Sequence, residues 1–381
     1  MNGTDLDDLR AHLARTGAPA GPIEVARAMR NLGYLVTDHS VRETVEALRR
    51  ESAGAGPLEP LMRLPGVTDI VVNGWRQVFL DRGHGLEAVP TVFSDEEEVR
   101  RLAVRLAASA GRRLDDGMPF VDARLPDGTR VHAVLPVVAE SGTCLSFRIP
   151  SRRTLALSDW VANQSMSAEA ARLLAALVAA RRAFLISGGT GSGKTTLLGS
   201  LLALADPAER IVIAEDSREL NPGHPHVVRL EGRPANVEGV GAITLTDLVR
   251  QALRMRPDRL VIGEVRGAEL SDLLMALNTG HEGGCGTVHA NSAADVPARL
   301  EALGALGGLS RQALHAQLAA ALDVLIHIRR LDGGQRWVEE VHLLQLDPAT
   351  GLCRPVPAWR FLPGLAARRE TGAAALEALL R

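Results

Sequence analysis

Nine consecutive residues, Gly188-Gly189-Thr190-Gly191-Ser192-Gly193-Lys194-Thr195-Thr196, satisfy the pattern G-x-x-x-x-G-K-[ST]. Glycines at such a site let the backbone turn its N–H groups around a phosphate, and a helix starting there adds positive potential. In this pattern Lys194 reaches the β- and γ-phosphates and the Thr195 hydroxyl ligates Mg²⁺. Composition adds weight to the lysine. Of 43 basic residues, 42 are Arg and only Lys194 is Lys. A planar guanidinium fork is larger than the compact ammonium that a phosphate loop encloses. The expected ligands are ATP and Mg²⁺.

Two carboxylate clusters follow apolar runs. Ile211-Val212-Ile213-Ala214 leads into Glu215 and Asp216, with Glu219 one helical turn on. Leu260-Val261-Ile262-Gly263 leads into Glu264, followed by Arg266. Hydrolysis of a phosphoanhydride needs one carboxylate to orient or deprotonate water and another to support the metal. Either glutamate suits either role, and spacing does not assign them. Further on, a glycine-rich stretch carrying His281 runs into a short apolar segment that ends at His289. A histidine near a triphosphate can donate to the γ-phosphate and report its loss.

These groups need a scaffold that brings them to one place. From Ala183 onward the chain alternates apolar run, loop and helix, the pattern of a mostly parallel sheet covered by helices. The expected strands are 183–187, 210–214, 259–262, 286–290, 324–329 and 337–346, with helices at 197–205, 245–255 and 268–278. In such sheets ligands bind at the carboxyl ends of strands, so both acidic clusters should point at the nucleotide. Upstream, strands are expected at 67–72 and 77–80 around Asn73-Gly74, with a helix capped by Ser94 running through Ala110. Asp127-Gly128 between 120–125 and 129–135 is a hairpin signal, and 145–149 reads as another strand. The first residues read as helices at 5–14 and 40–50, separated by a loop at 16–22. The expected divisions are therefore a helical segment 1–50, a small α/β domain 51–150 opening on a linker at 51–57, a connecting loop 151–165 and a phosphate-loop domain 166–381.

Charge and composition narrow the partners. A net charge of -2 and an aromatic content of 3% offer neither a basic surface nor a stacking platform for nucleic acid. Cys144, Cys285 and Cys353 stand singly, as expected in a reducing cytosol. The start of the chain lacks the pattern of a signal peptide. The longest apolar stretch, Leu173 to Ala180, is far short of the ~20 residues that span a bilayer. The expected location is cytoplasmic.

In order and spacing, the phosphate loop, "IAEDSREL", "LVIGEVRGAE" and "NTGHEGGCGTVHANS" resemble the Walker A motif, Asp box, Walker B motif and His box of type II/type IV secretion ATPases. The resemblance is closest to the Tad/CpaF-like branch that powers tight-adherence pili, and it extends from about Pro57 to Arg330. It implies a RecA-like ATPase domain preceded by a small PAS-like α/β domain, assembled as a homo-hexamer. It also implies peripheral association with the inner membrane through a polytopic platform protein, with no nucleic acid as substrate. Glu215, Glu264, His289 and His281 become the expected catalytic groups, with the metal held by Thr195 and, through water, by Glu215 and Glu264. Among Arg112, Arg113, Arg124, Arg130 and Arg148, the resemblance selects Arg124 and Arg130 as catalytic fingers, and Arg148 is expected to help bind the nucleotide. Gly263 stands where many phosphate-loop ATPases carry a metal-holding Asp, a feature shared with the secretion ATPases. A conjugation-type or RecA-like nucleic-acid translocase is the alternative within the same fold, and a regulatory nucleotide-binding protein with little turnover is a third.

Overall fold

Two hydrophobic patterns give two kinds of sheet in the computed structural model, which describes residues 8–9, 12–13, 21–34, 36–83, 85–150, 154–233, 235, 240–280, 282–331 and 334–381. The chain divides into the units Met1–Pro150 and Ser151–Arg381.

In the first unit all strands but the exposed edge strand at 86–89 alternate in burial, because only one face of the sheet is covered. Six of them, β1 (Asp69–Asn73), β2 (Gln77–Asp81), β3 (Leu86–Val89), β4 (Phe120–Arg124), β5 (Arg130–Val134) and β6 (Cys144–Arg148), form an antiparallel sheet in the order β3-β2-β1-β6-β5-β4. The helix Glu96–Ser109 lays Val99, Leu102, Ala103 and Leu106 against its apolar face. That helix is capped one residue later than expected. Asp95, not Ser94, accepts from the Glu98 N–H at 2.8 Å, while the Glu98 carboxylate accepts from the Ser94 N–H at 2.7 Å, a reciprocal cap that uses the acid at both ends.

Two helices, Pro22–Asn31 and Asp38–Ala53, precede the sheet and share a small core of Leu9, Leu13, Val25, Met29, Val41 and Val45. The helix at 22–31 falls where no element was expected, and most of the expected 5–14 helix lies outside the described residues. The stretch 51–57 is no linker. The second helix runs on to Ala53, and Ala55 and Leu58 are buried in the core beneath the sheet.

The second unit needs strands buried on both faces, and its sequence supplies them as continuous apolar runs. β7 (Phe184–Gly188) and β8 (Ile211–Glu215) are buried at every position. With β9 (Val227–Glu231), β10 (Arg259–Ile262), β11 (Cys285–His289) and β12 (Val324–Arg330) they make six parallel strands in the order β12-β7-β11-β10-β8-β9. Beyond β12 the sheet continues antiparallel through β13 (Arg336–Asp347), β14 (Leu352–Arg360) and β15 (Arg368–Arg369). Helices Ala168–Ala179 and Lys194–Leu202 cover one face, and Leu245–Leu253, Glu269–Leu277, Val296–Leu306 and Arg311–Ala321 cover the other. The α/β class is as expected; β9, β14 and β15 are additions.

The connecting loop expected at 151–165 also differs. Within it, Leu157–Ala162 forms a helix whose Trp160 is 3% exposed and donates its indole N–H to Ser200 Oγ at 2.9 Å. A large aromatic with a satisfied polar handle is worth burying, and that burial orders the segment. No helix among the described residues is long and apolar enough to cross a membrane.

Candidate functional site

The parallel strands of the second unit end at one edge of the sheet, and four of those ends carry the expected groups. β7 runs into the phosphate loop, and the helix Lys194–Leu202 starts directly after Gly193. Gly193 holds φ at +96° as the residue before that helix, a left-handed conformation for which glycine has no steric penalty. The first-turn N–H groups, those of Lys194, Thr195 and Thr196, have no intrahelical acceptors and face an incoming anion. Gly189, Thr190 and Gly191 are exposed, whereas Ser192 is buried and donates to the Gly189 carbonyl at 2.9 Å.

Lys194 is only 6% exposed. Its Nζ donates to the carbonyl oxygens of Gly188 at 3.0 Å and Gly189 at 2.9 Å and lies 3.4 Å from His289 Nδ1. His289 Nε2 is in turn 3.0 Å from Glu264 Oε1, and Glu264 Oε2 accepts from Arg266 at 2.6 Å. Lys194 Nζ is also 3.3 Å from His289 Nε2, so the ammonium faces the ring between its two nitrogens, while an Nε2–H tautomer donates to Glu264. Burial pushes the Lys194 ammonium below its ordinary value, opposed by Glu264. Burial and the neighbouring Lys194 also hold His289 low, which favours the neutral ring. For Glu264, burial raises the carboxyl, but Arg266, His289 and Lys194 together outweigh it and keep it ionised.

Glu215, at the end of β8, is a different kind of acid. It is 4% exposed; Oε1 accepts from the backbone N–H groups of Glu219 and Leu220 at 3.0 Å each, and Oε2 is buried with no protein partner. Burial pushes its carboxyl up from 4.5 to about 7. Its side chain lies across Gly263, where an added Cβ would stand 2.6 Å from Glu215 Cγ. Gly263 is therefore the space that Glu215 occupies, which gives the missing Asp a physical reason.

This makes stability depend on pH. A carboxyl whose folded value lies above its unfolded one binds more protons folded than unfolded between pH 4.5 and about 7. Stability then falls as pH rises through that window, and the full penalty, on the order of 3 kcal/mol, applies above it. Glu215→Gln removes the penalty. Melting temperatures of the variant and the parent, measured in a chelating buffer, should draw apart in favour of the variant between pH 5 and pH 8. A constant difference would show that Glu215 does not titrate in that range.

The structure thus brings Lys194, Glu264 and His289 into contact, with Glu215 beside them across Gly263. His281 lies outside the described residues. Gly283 and Gly284, just after it, sit at the start of β11, where Phe184 N–H meets the Gly284 carbonyl at 3.3 Å. That is the opposite end of the sheet from Lys194. Arg124, Arg130 and Arg148 belong to the first unit, where strand register aligns Arg124 with Arg130 and Arg130 with Arg148. The row continues to Asp69 opposite Arg148, so three adjacent arginines, whose like charges disfavour one another, end against one acid. The Cys285 thiol is fully buried and pushed up to about 12 by that burial, so it stays protonated and inert.

Sequence reading gave no role to four residues at the site, naming Arg266 alone among them. Arg266 sits two positions after Glu264, a spacing that hinted at the ion pair. Trp160 approaches Gly193, with Cη2 3.5 Å from where a Cβ would be. Arg330 and Arg336 also border the loop, and Arg336 is 145 residues from the glycine whose carbonyl it reaches. No local signal marks such a contact.

A strand, glycine loop and helix enclosing one lysine, with acids on neighbouring strand ends, define a phosphate-loop nucleotide hydrolase. The sequence profile of the "Type II/IV secretion system protein" family matches residues 51–351, and the chain belongs to that family as one of its ATPases. A relative in Mycobacterium tuberculosis named "Putative conjugal transfer protein Rv3659c" is 52% identical over 353 residues, covering 91% of this chain and 99% of the relative. Among solved structures, the Legionella pneumophila ATPase DotB aligns over 75% of this chain and 78% of its own, with a TM-score of 0.52 and 20% identity. The pilus retraction motor PilT with bound ADP aligns over 75% of this chain and 81% of its own, with a TM-score of 0.53 and 21% identity. These two likenesses establish a shared fold.

Proposed function

We propose that this ATPase is the motor of a type II/IV secretion-class machine, that it works as a homo-hexamer at the cytoplasmic face of the inner membrane, and that the machine assembles a Tad-type pilus. The observation that carries the motor reading is the contact chain Lys194–His289–Glu264. It ties the phosphate loop to two further strand ends, so loss of a γ-phosphate would be felt at all three. The pilus reading rests on the motif strings, and the relative's name keeps a conjugation machine as the alternative.

ATP would be held by Gly188 to Thr196, with Lys194 moving from the Gly188 and Gly189 carbonyls onto phosphate oxygens. Mg²⁺, when bound, would supply positive charge against the charge that develops on the phosphates. The Thr195 hydroxyl and, through water, Glu215 and Glu264 would hold it. The residues fit that role: the buried Oε2 of Glu215 has no protein partner, and Glu264, paired with Arg266 and His289, stays ionised beside it. Between the two acids, Glu215 is the better base, since a carboxyl near neutrality combines availability with proton affinity. Glu264 stays charged, holds His289 and would hold water on the metal.

The first unit would be a PAS-like domain and the second a RecA-like one, with Arg124 and Arg130 acting as fingers on a nucleotide and Arg148 supporting its binding. Arg124→Ala and Arg130→Ala should each lower turnover by at least about tenfold while leaving the melting temperature within a few degrees, because finger arginines carry large rate factors. Phosphate release measured against protein concentration tests the assembly in the same experiment, and full turnover by a monomer sinks it. Addition of single-stranded DNA decides between the motor classes, since strong stimulation would favour a translocase.

A further inference from the structure

The hairpin of β12 and β13 packs along the phosphate loop, and three of the four loop glycines meet it. A Cβ on Gly188 would stand 2.3 Å from the Ile328 carbonyl oxygen. On Gly191 it would lie 3.7 Å from an Arg330 guanidinium nitrogen, and on Gly193 it would lie 2.9 Å from Arg336 Cδ. Only Gly189 has nothing within 4 Å. The register between β12 and β13 shifts at His327/Ile328, a bulge that bends the strand as it passes Gly188.

Past that bulge, Arg330 and Arg336 are cross-strand partners, and both are exposed. Arg336 Nε donates to the Gly191 carbonyl at 3.3 Å. Two guanidiniums placed directly opposite each other repel, and here both stand over a loop built for an anion.

Strand order says which part of the ligand they meet. β12 flanks β7 on one side, whereas β11 and β10, which carry His289 and lead to Glu264, lie on the other. The γ-phosphate end of a nucleotide belongs with His289 and Glu264, so the hairpin faces the end nearer the sugar. We infer that Arg330 and Arg336 form a second cationic clamp on the nucleoside di- or triphosphate, gripping it at the α-phosphate end. The inference rests on the ATP-binding reading given above. The clamp binds nucleotide and takes no part in bond breaking, because it stands away from both acids. Bidentate guanidiniums suit non-bridging phosphate oxygens.

The test uses the full chain with fluorescent ADP and ATP analogues and with steady-state phosphate release. Arg330→Ala and Arg336→Ala should each weaken ADP and ATP binding by a similar factor of about tenfold. They should raise KM and leave kcat within about twofold. Affinity should fall less steeply with added salt than in the parent, since one phosphate contact has gone, and the Lys variants should recover part of it. Three results overturn the clamp, the first two being parental ADP affinity in both Ala variants and a loss confined to ATP, which would put the arginines at the γ end. A lowered melting temperature with unchanged affinity and KM also overturns it, by reducing the pair to packing. If the parent protein binds neither analogue, the ATP reading itself fails, an outcome distinct from these.

Discussion

Lys194→Arg is expected to lose most of the ATPase activity, at least about tenfold, and Lys194→Ala about a thousandfold. The charge is conserved in the first variant, so the loss comes from shape. Lys194 is 6% exposed and its Nζ is already within 3.0 Å of two loop carbonyls. A guanidinium is larger and planar, and it cannot slide between β- and γ-oxygens as an ammonium does. In a site that excludes water, a misplaced donor to the transferred phosphate loses several kcal/mol of transition-state stabilisation. Burial already depresses the Lys194 ammonium, and Glu264 supports its charge. The Ala variant removes a buried cation and leaves His289 without its neighbour, so its melting temperature can shift by a few degrees while the sheet stays intact. Steady-state phosphate release by the Arg variant decides the matter. A rate within about twofold of the parent, well under the ~1.4 kcal/mol of a tenfold loss, would remove Lys194 from the mechanism.

Glu215→Gln and Glu264→Gln should both bind ATP and hydrolyse it about 10²-fold or more slowly, the scale of general acid–base and metal-support effects. They should differ in their pH profiles. In the nucleotide-free protein Glu215 is pushed up to about 7 by burial, so a rising limb of kcat/KM near neutrality should report it and should vanish in its Gln variant. Glu264 is held low by Arg266, His289 and Lys194 against the effect of burial, so its Gln variant should lower the whole profile without moving that limb. Binding of a fluorescent nucleotide separates chemistry from affinity. Near-parental rates in both variants would show that the strand-end acids are not the reacting groups.

Much of the second unit is legible in the chain because parallel strands buried on both faces must be continuous apolar runs. Phe184 to Ile186 and Ile211 to Ala214 announce themselves in this way, and the residues that follow them are placed at the ligand edge. The Asp127-Gly128 hairpin is equally local, since the turn specifies its own conformation. β9 and β14 are less visible. Val227–Glu231 is half-buried at the sheet's edge, and Leu352–Arg360 carries two prolines, so neither shows a clean period. The helix at Leu157–Ala162 is too short to display amphipathicity and is ordered by where Trp160 lands.

The amino-acid order alone determined that this protein carries a glycine loop with one lysine between a strand and a helix, together with two strand-end acids and a histidine, because each motif is a local solution with its own spacing. It also determined the division of the chain into an alternating half-exposed sheet and a doubly covered one. Only the tertiary structure decided how those motifs divide their work. Burial makes Glu215 a near-neutral acid, whereas the adjacent Arg266 together with the distant His289 and Lys194 keeps Glu264 charged against its own burial. Gly263 acquires its reason only when Glu215 is seen lying over it, and Arg336 meets Gly191 only because strand order puts the β12–β13 hairpin beside β7. Desolvation and cross-strand register are properties of the packed sheet, and they arise from neighbours that the chain brings together across more than a hundred residues.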